Sequence, residues 1–290
     1  MFQFLDFTLS GLGTGMTYAL VGLGVAVVYQ VTGVINFAQG DFVMLGGLSF
    51  SSLYERGLPG PVAALLALLA TTVVGALLEL LVIRPAPRAD KELKVILTIG
   101  ASITLEGAAL LFFGADSHFA PEFTRGGPFS LLGAHVARQY VWCAGITLAA
   151  VLLMWLFLTR TLTGTAMRAT AMDADAVRMT GVSPTRMSLL AFTLAAALGA
   201  VAGIVLAPLQ PPDPSVGIPF GLKAFTAAVI GGLASPFGAV AGGLLVGLIE
   251  AYATGYLSSD YKDTLTYALL LIVLLARPTG LLRRASVVRV

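Results

Sequence analysis

Four acids sit inside apolar runs of this chain: Asp41, Glu79, Glu106 and Glu250. A carboxylate among leucines and valines is costly, and such groups mark proton relays, solute paths or buried pairings. Glu79 is five residues from Arg84, which places it near a membrane edge in a structural role. Glu106 and Glu250 lie deeper and remain open to proton relay, path lining or structural hydrogen bonding. No two of these acids are spaced as an acid–base couple. Lys223, also within an apolar stretch, is expected to snorkel outward, keeping its stem in lipid and its ammonium in water. A denser polar group occurs in "VTGVINFAQGDFVMLGG", where Asn36, Gln39 and Asp41 accompany helix-loosening glycines such as Gly40.

Catalytic chemistry is not expected, given what the sequence omits. There is no G-x-x-x-x-G-K-[ST] loop for nucleotide phosphates and no G-x-S-x-G nucleophile turn. "GLGTG" at 11–15 lacks the spacing and preceding strand of a dinucleotide loop and reads as helix packing. His118 and His135 are 17 residues apart with no cysteine nearby, a poor basis for a metal site. The single cysteine, Cys143, forbids an internal disulfide and sits among apolar neighbours as an inert thiol. The expectation is a non-enzyme with no cofactor or metal of its own.

The elements that position these residues follow from composition. Of 290 residues, 57% are hydrophobic and only 11% charged, with a mean hydropathy of +0.91. A soluble domain needs about 25% charged residues to keep its surface wet. The chain is therefore expected to be all-α, a polytopic membrane protein forming a single transmembrane domain over 1–290. Apolar segments fall near 7–30, 34–54, 60–83, 95–114, 139–159, 188–208, 221–233, 236–256 and 263–276, predicting 8–9 transmembrane or re-entrant helices. The segment 221–233 is short: 13 helical residues cover about 20 Å, less than the hydrocarbon core of about 30 Å. The N-terminal "MFQFLDFTLSGLG" has no basic region and reads as a retained first span.

Twelve of the 17 Lys and Arg residues lie in 84–94, 160–187 and the tail from Arg277. The positive-inside rule places those three regions in the cytoplasm, with the N-terminus outside and the C-terminus inside. A net charge of +2 gives no reason to expect nucleic acid as a partner. Small residues recur every four positions at Ala191, Ala195, Gly199, Gly203 and Ala207, and again at Ser235, Ala239, Gly243, Gly247 and Ala251. Such seams let helix backbones approach, either within one subunit or between subunits.

Two motifs read as helix beginnings. Asn36 is a candidate N-cap, with Gln39 reaching back in a capping box. Ser235 is a second N-cap, followed by Pro236 at the first helical position. Interrupted helices within a membrane are tolerated where they are buried in protein or line a wet cavity, so these are either path-lining breaks or ordinary cytoplasmic turns. The 160–187 loop predicts a helix from Ala166 to Thr180, stopped by Gly181 and Pro184. Met167, Met172 and Met179 would give it an adaptable apolar surface, for a partner protein or for lipid headgroups.

Three stretches resemble the branched-chain amino-acid ABC permeases of the LivH type: "VINFAQGDFVMLGG", "RTLTGTAMRATAMDADAVRMTGV" and "KAFTAAVIGGLASPFGAVAGGLLVGLIE". They occur in the family's order and spread over most of the chain. Gln39 is a departure, standing where many members carry histidine. The resemblance implies a multi-pass permease of the bacterial inner membrane, working with a second related permease, two ATPase subunits that bind ATP and Mg, and a periplasmic solute-binding protein. It implies that Arg168, Ala169, Asp173 and Gly181 lie in the segment docked on an ATPase. It also implies that Asn36, Gln39, Gly40 and Asp41, with Gly231, Gly232 and Ser235, belong to broken elements near the pathway. Helix N-termini at Asn36 and Ser235 would then be available to a solute carboxylate. Within such a family the solute can be a branched-chain amino acid, another amino acid, urea, a short amide or an aromatic acid. A proton-coupled secondary transporter is the rival from a different class; a channel or a non-transporting scaffold subunit is less favoured.

Overall fold

The computed structural model describes residues 2–86, 89–124, 127, 129–131, 134–277 and 280–281. Arg88 and the tail arginines Arg283, Arg284 and Arg289 lie outside the described residues. Among the described residues, six helices are long and apolar enough to cross a membrane. They are α1 (Phe2–Thr32), α3 (Gly60–Leu78, prolonged by a π-helical turn at Glu79–Ile83), α4 (Lys91–Phe113), α5 (Arg138–Arg160), α8 (Pro184–Leu206) and α10 (Pro236–Tyr256). Three shorter helices join them, α2 (Gln39–Glu55), the apolar α9 (Gly217–Gly231) and α11 (Tyr261–Ala276). Between α5 and α8 lie two polar helices, α6 (Leu162–Met172) and α7 (Ala174–Met179). The only strands among the described residues are β1 (Phe129–Leu131) and β2 (Ala134–Val136), a three-rung antiparallel hairpin between α4 and α5.

The seams of small residues organise the centre. Cβ atoms added at Gly243 and Gly247 would overlap the backbone of α1 at Tyr18–Ala19 and Gly15, and one at Gly203 would overlap the Val43 carbonyl of α2. Both seams thus pack helices of this chain against one another, and the glycines of "GLGTG" do the same against α10 and Tyr140 of α5. In lipid this close approach supplies the van der Waals contact that holds helices together. Helices α1, α2, α8, α9 and α10 form the buried core. Around it, α3, α4, α5 and α11 turn bulky side chains outward, among them Leu65, Leu69, Ile96, Ile103, Leu152 and Leu271.

Several expectations need correction. The segment 34–54 is not helical from its start: α1 ends at Thr32, Gly33 takes a left-handed φ of 67°, and α2 begins only at Gln39. The segment 221–233 begins four residues early, at Gly217, because Pro219 sits in the first turn, where its missing N–H has no intrahelical partner to lose. The helix expected over Ala166–Thr180 is two helices broken at Asp173. That residue adopts an extended φ of −156°, and its carboxylate accepts the N–H groups of Asp175 (3.0 Å) and Ala176 (2.9 Å), starting a new helix. Met167 is buried in the core, so of the three methionines only Met172 and Met179 are exposed, with Leu162 at the start of α6. Glu79 is buried and pairs with Arg84 at 3.1 Å across the π-helical turn.

Candidate translocation and coupling sites

The first break carries the buried amide–acid group. Asn36 does not cap α2; Ala38 occupies the N-cap position, without a side-chain cap. The Asn36 Oδ1 instead accepts the Ala38 N–H at 3.1 Å, a local turn. Gln39 does not reach back either. Its Nε2 donates to the Ala195 carbonyl of α8 at 2.9 Å, tying the start of α2 to a helix 156 residues away. Asn36, Gln39 and Asp41 are all buried.

Helix α4 measures how deep this break lies. The Lys91 side chain covers Gly33 at the start of α4, and the Thr98 hydroxyl accepts the Phe37 N–H at 3.2 Å. Asp41 has Ser102 and Glu106 as neighbours. At about 1.5 Å per residue, Thr98 lies about 10 Å from the start of α4, and Ser102 and Glu106 about 16–22 Å. Against a core of about 30 Å, α2 therefore begins near the middle of the bundle.

Helix α9 begins at the same level. The Glu106 Oε1 accepts the Ile218 N–H at 3.2 Å, and a Cβ on Gly217 would overlap the Asp41 carboxylate. A Cβ on Gly40 would in turn overlap the Gly217 carbonyl oxygen, and Phe37 packs on Phe225 at 5.6 Å between ring centroids. Two half-helices thus start side by side in the centre and run to opposite ends: α2 with α8, and α9 towards its turn into α10. Each helix N-terminus presents unpaired N–H groups and a partial positive charge. Here they meet the carboxylates of Asp41 and Glu106, so the positive ends are already matched by acids of this chain.

The second break is of a different kind. Ser235 caps α10, its Oγ accepting the Gly238 N–H at 3.1 Å, with Pro236 at the first position. Gly232 takes a φ of 102°, and Gly231 packs backbone to backbone on Gly238. This is a four-residue turn at the end of the bundle: the exposed Ala234 lines one cleft with the end of α1 and with Arg168 and Ala169 of α6. The two groups of path residues expected from sequence therefore do not come together. Asn36–Asp41 are central, whereas Gly231, Gly232 and Ser235 lie at the end that carries α6. Gly280 packs on Gly232 at that same end, far from the start of α1.

Segment α6–α7 stands out from this end. The Thr161 hydroxyl caps α6 through the Gly164 N–H at 3.0 Å, and Gly181, with a φ of 85°, ends α7. Arg168, Asp173 and Gly181 are exposed and Ala169 is half-buried. Met172 and Met179 are 89% and 92% exposed, more than lipid-facing side chains of the outer helices such as Leu65 at 56%. The cleft behind α6 has a volume of about 760 Å³.

A third constellation was not foreseen. Lys223 does not snorkel outward; it is buried, with Nζ 2.8 Å from Glu250 and 2.9 Å from Asp263. The Tyr18 hydroxyl donates to the other Glu250 oxygen at 2.7 Å. Four helices contribute one residue each, and no local sequence pattern joins them. The available signal was a lysine and a glutamate each isolated in an apolar span, which needed partners.

Known proteins bear on these sites. Residues 7–274 match the family described as branched-chain amino acid transport system / permease component. The chain is 33% identical to the high-affinity branched-chain amino acid transport system permease protein BraD of Pseudomonas aeruginosa, over 100% of this chain and 99% of that one. It is 34% identical to the LivH permease protein of Escherichia coli, covering 99% and 98% of the two chains. It is also 26% identical to the LivM permease protein of Escherichia coli, over 92% of this chain and 68% of that one. Among solved structures, PsaBC from Streptococcus pneumoniae in complex with Fab matches with a TM-score of 0.53 at 15% identity, covering 93% of this chain and 94% of that chain, a likeness of fold.

Proposed function

The chain belongs to the family of branched-chain amino acid transport permease components, and from that premise we propose that it is the membrane subunit of an ATP-driven importer for branched-chain amino acids. It sits in the bacterial inner membrane with its N-terminus in the periplasm and the α6–α7 end in the cytoplasm. A second, LivM-like permease completes the membrane unit, two ATPase subunits bind ATP and Mg below it, and a periplasmic protein delivers the solute. Nucleotide binding moves the ATPases, α6–α7 receives the motion, and the bundle shifts between its two facings. Coupling of this kind needs a rigid element touching both partners and two discrete arrangements of the bundle.

The observation that carries this reading is the placement of Arg168, Asp173, Met172 and Met179 on an exposed, double-capped segment at one end of an otherwise lipid-facing bundle. The central meeting of α2 and α9 supports a pathway there, since half-helices are the usual frame of a transporter's midplane site. A carrier driven by protons would draw on Glu106 or Glu250. Glu106 caps α9 and Glu250 is ion-paired, which favours the ATP-driven reading. The test is labelled-leucine uptake by the assembled complex carrying Arg168→Ala and Asp173→Ala together. The reading expects uptake and ATPase association to fall together; both unchanged would remove the docking role.

A further inference from the structure

Helix α4 meets the core along a single line, through Thr98, Ser102 and Ala109. Its C-terminal end and α3 leave a groove of about 360 Å³ between them. Leu45 and Ser49 of α2 form the floor, Ala70 and Val74 of α3 one wall, and Phe112 and Phe113 of α4 the other. Ala70 and Phe112 are exposed, the latter 81%, so the groove opens sideways into the lipid-facing belt.

Arg56, just past the end of α2, lies at the mouth. This is the end of the bundle opposite α6–α7: Phe50, six residues earlier, packs on Phe123, which packs on Trp142 at the start of α5. Eleven residues separate Arg56 from Leu45, about 16 Å of helix. One leaflet of a hydrocarbon core of about 30 Å is about 15 Å deep. The groove therefore has the length of one acyl chain, with a cation at its mouth.

That cation lacks a partner of its own. Among the described residues, Arg56 is the only charged group on the lining, and no ion pair or side-chain hydrogen bond holds its guanidinium. Glu55 beside it is engaged by His118 at 2.6 Å and by the Phe119 N–H at 2.8 Å. Asp116, on the same loop as His118, does not line the groove. A guanidinium donates in a planar fork that matches two phosphate oxygens. Lower down, the Ser49 and Thr71 hydroxyls can turn to carbonyls of their own helices, as Thr72 does to Leu68 at 2.6 Å. The floor thus asks for an apolar occupant and the mouth for an anion.

We propose that this groove holds one phospholipid of the leaflet opposite α6–α7. Its phosphodiester accepts from Arg56, and one acyl chain lies over Leu45 between Ala70, Val74 and Phe112. The lipid braces α4 against α3, and α4 carries the Ser102 and Glu106 that neighbour Asp41 at the central break. Such a site needs the membrane placement and not the ATPase partners.

The test uses the full chain in mild detergent with Trp142→Phe, Trp155→Phe and Phe112→Trp, which leaves one tryptophan on the groove wall. Its fluorescence is titrated with phosphatidylglycerol or diacylglycerol, both brominated on their acyl chains, with soluble glycerophosphate as competitor. Phosphatidylglycerol should quench saturably at about tenfold lower concentration than diacylglycerol, the size of one charge-assisted hydrogen bond. Arg56→Gln should remove that difference. Ala70→Phe, at an exposed position, should fill the groove and abolish saturable quenching by both. A chain keeping only the native Trp155 should be quenched without saturation, and glycerophosphate should not compete. Equal binding of the two lipids, a preference that survives Arg56→Gln, saturable quenching that survives Ala70→Phe, or the same saturation at Trp155 would overturn the proposal. So would competition by glycerophosphate, which would make this a site for free phosphate. Loss of quenching on assembly with the partner permease would assign the groove to a helix of that partner and overturn it as well. If Phe112→Trp does not fold, native mass spectrometry of the unaltered chain reads the same site: one phosphatidylglycerol retained, and lost in Arg56→Gln.

Discussion

Gly40 and Gly100 offer the sharpest comparison of single residues. At Gly40 an added methyl meets backbone atoms of Gly217 and Gly221, which cannot rotate away; at Gly100 nothing lies within 4 Å. Gly40→Ala should therefore destabilise by about 1–3 kcal/mol or more through overpacking. Gly100→Ala should stabilise by roughly 0.5–1 kcal/mol through helix propensity alone. Reversible unfolding in mixed detergent micelles measures both, and equal effects would contradict the meeting of α2 and α9. Lys223 extends the comparison to charge. Removing it as Lys223→Met strands the buried Glu250 carboxylate, which should cost about 3–5 kcal/mol. The double change Lys223→Met with Glu250→Gln should recover part of that loss, because the amide can still accept from Tyr18. A double variant no better than the single one would show that the network is not an ion pair in its effect.

Elements show why some of this was legible and some was not. Ser235 and Pro236 cap α10 as the sequence predicts, because an N-cap and a first-turn proline act on the backbone within three residues. Asn36 and Gln39 carry the same local signature and fail it, because a carbonyl at Ala195 competes for the Gln39 amide. The break at Asp173 was hidden by a run of good helix formers; its carboxylate favours a new start over continuation. Asp173→Asn should keep α7, since the amide oxygen still caps, whereas Asp173→Ala should fray it at a cost of about 0.5–2 kcal/mol. Hydrogen exchange at Asp175 and Ala176 distinguishes them. The contact between the end of α2 and the loop after α4 adds a pH dependence. Burial works to depress His118, but its hydrogen bonds to Glu55 and the Phe113 carbonyl, with nearby negative charge, raise it overall; the bond to His118, then that to the Phe119 N–H, lowers Glu55. The raised His118 contributes stability below its unfolded value of about 6.5, lost as pH rises through its folded value. The lowered Glu55 contributes stability above about 4.3, lost as pH falls through its own folded value. Protection of the Phe119 amide, corrected for intrinsic exchange, should thus weaken as pH rises through the raised folded value of His118. His118→Gln should remove that upper limb.

At the scale of the whole molecule, composition and the spacing of basic residues give an all-helical membrane bundle, and among its described residues the structure supplies six helices long and apolar enough to cross a membrane, the shorter apolar α9, and the short helices α2 and α11. Length alone marked the 221–233 segment as unable to span. What length cannot give is the level at which a short helix begins, because that is set by contacts such as Glu106 with Ile218, 112 residues apart. The bundle so built has a lipid-facing belt, a central meeting of two half-helices and one exposed end. The proposed function has its motion driven by separate ATPase subunits at that exposed end. The most direct test is concentrative uptake of labelled leucine into proteoliposomes, comparing the chain with its permease, ATPase and binding-protein partners against the chain alone under an imposed proton gradient. The account predicts accumulation only with the partners and ATP; accumulation by the isolated chain would contradict it.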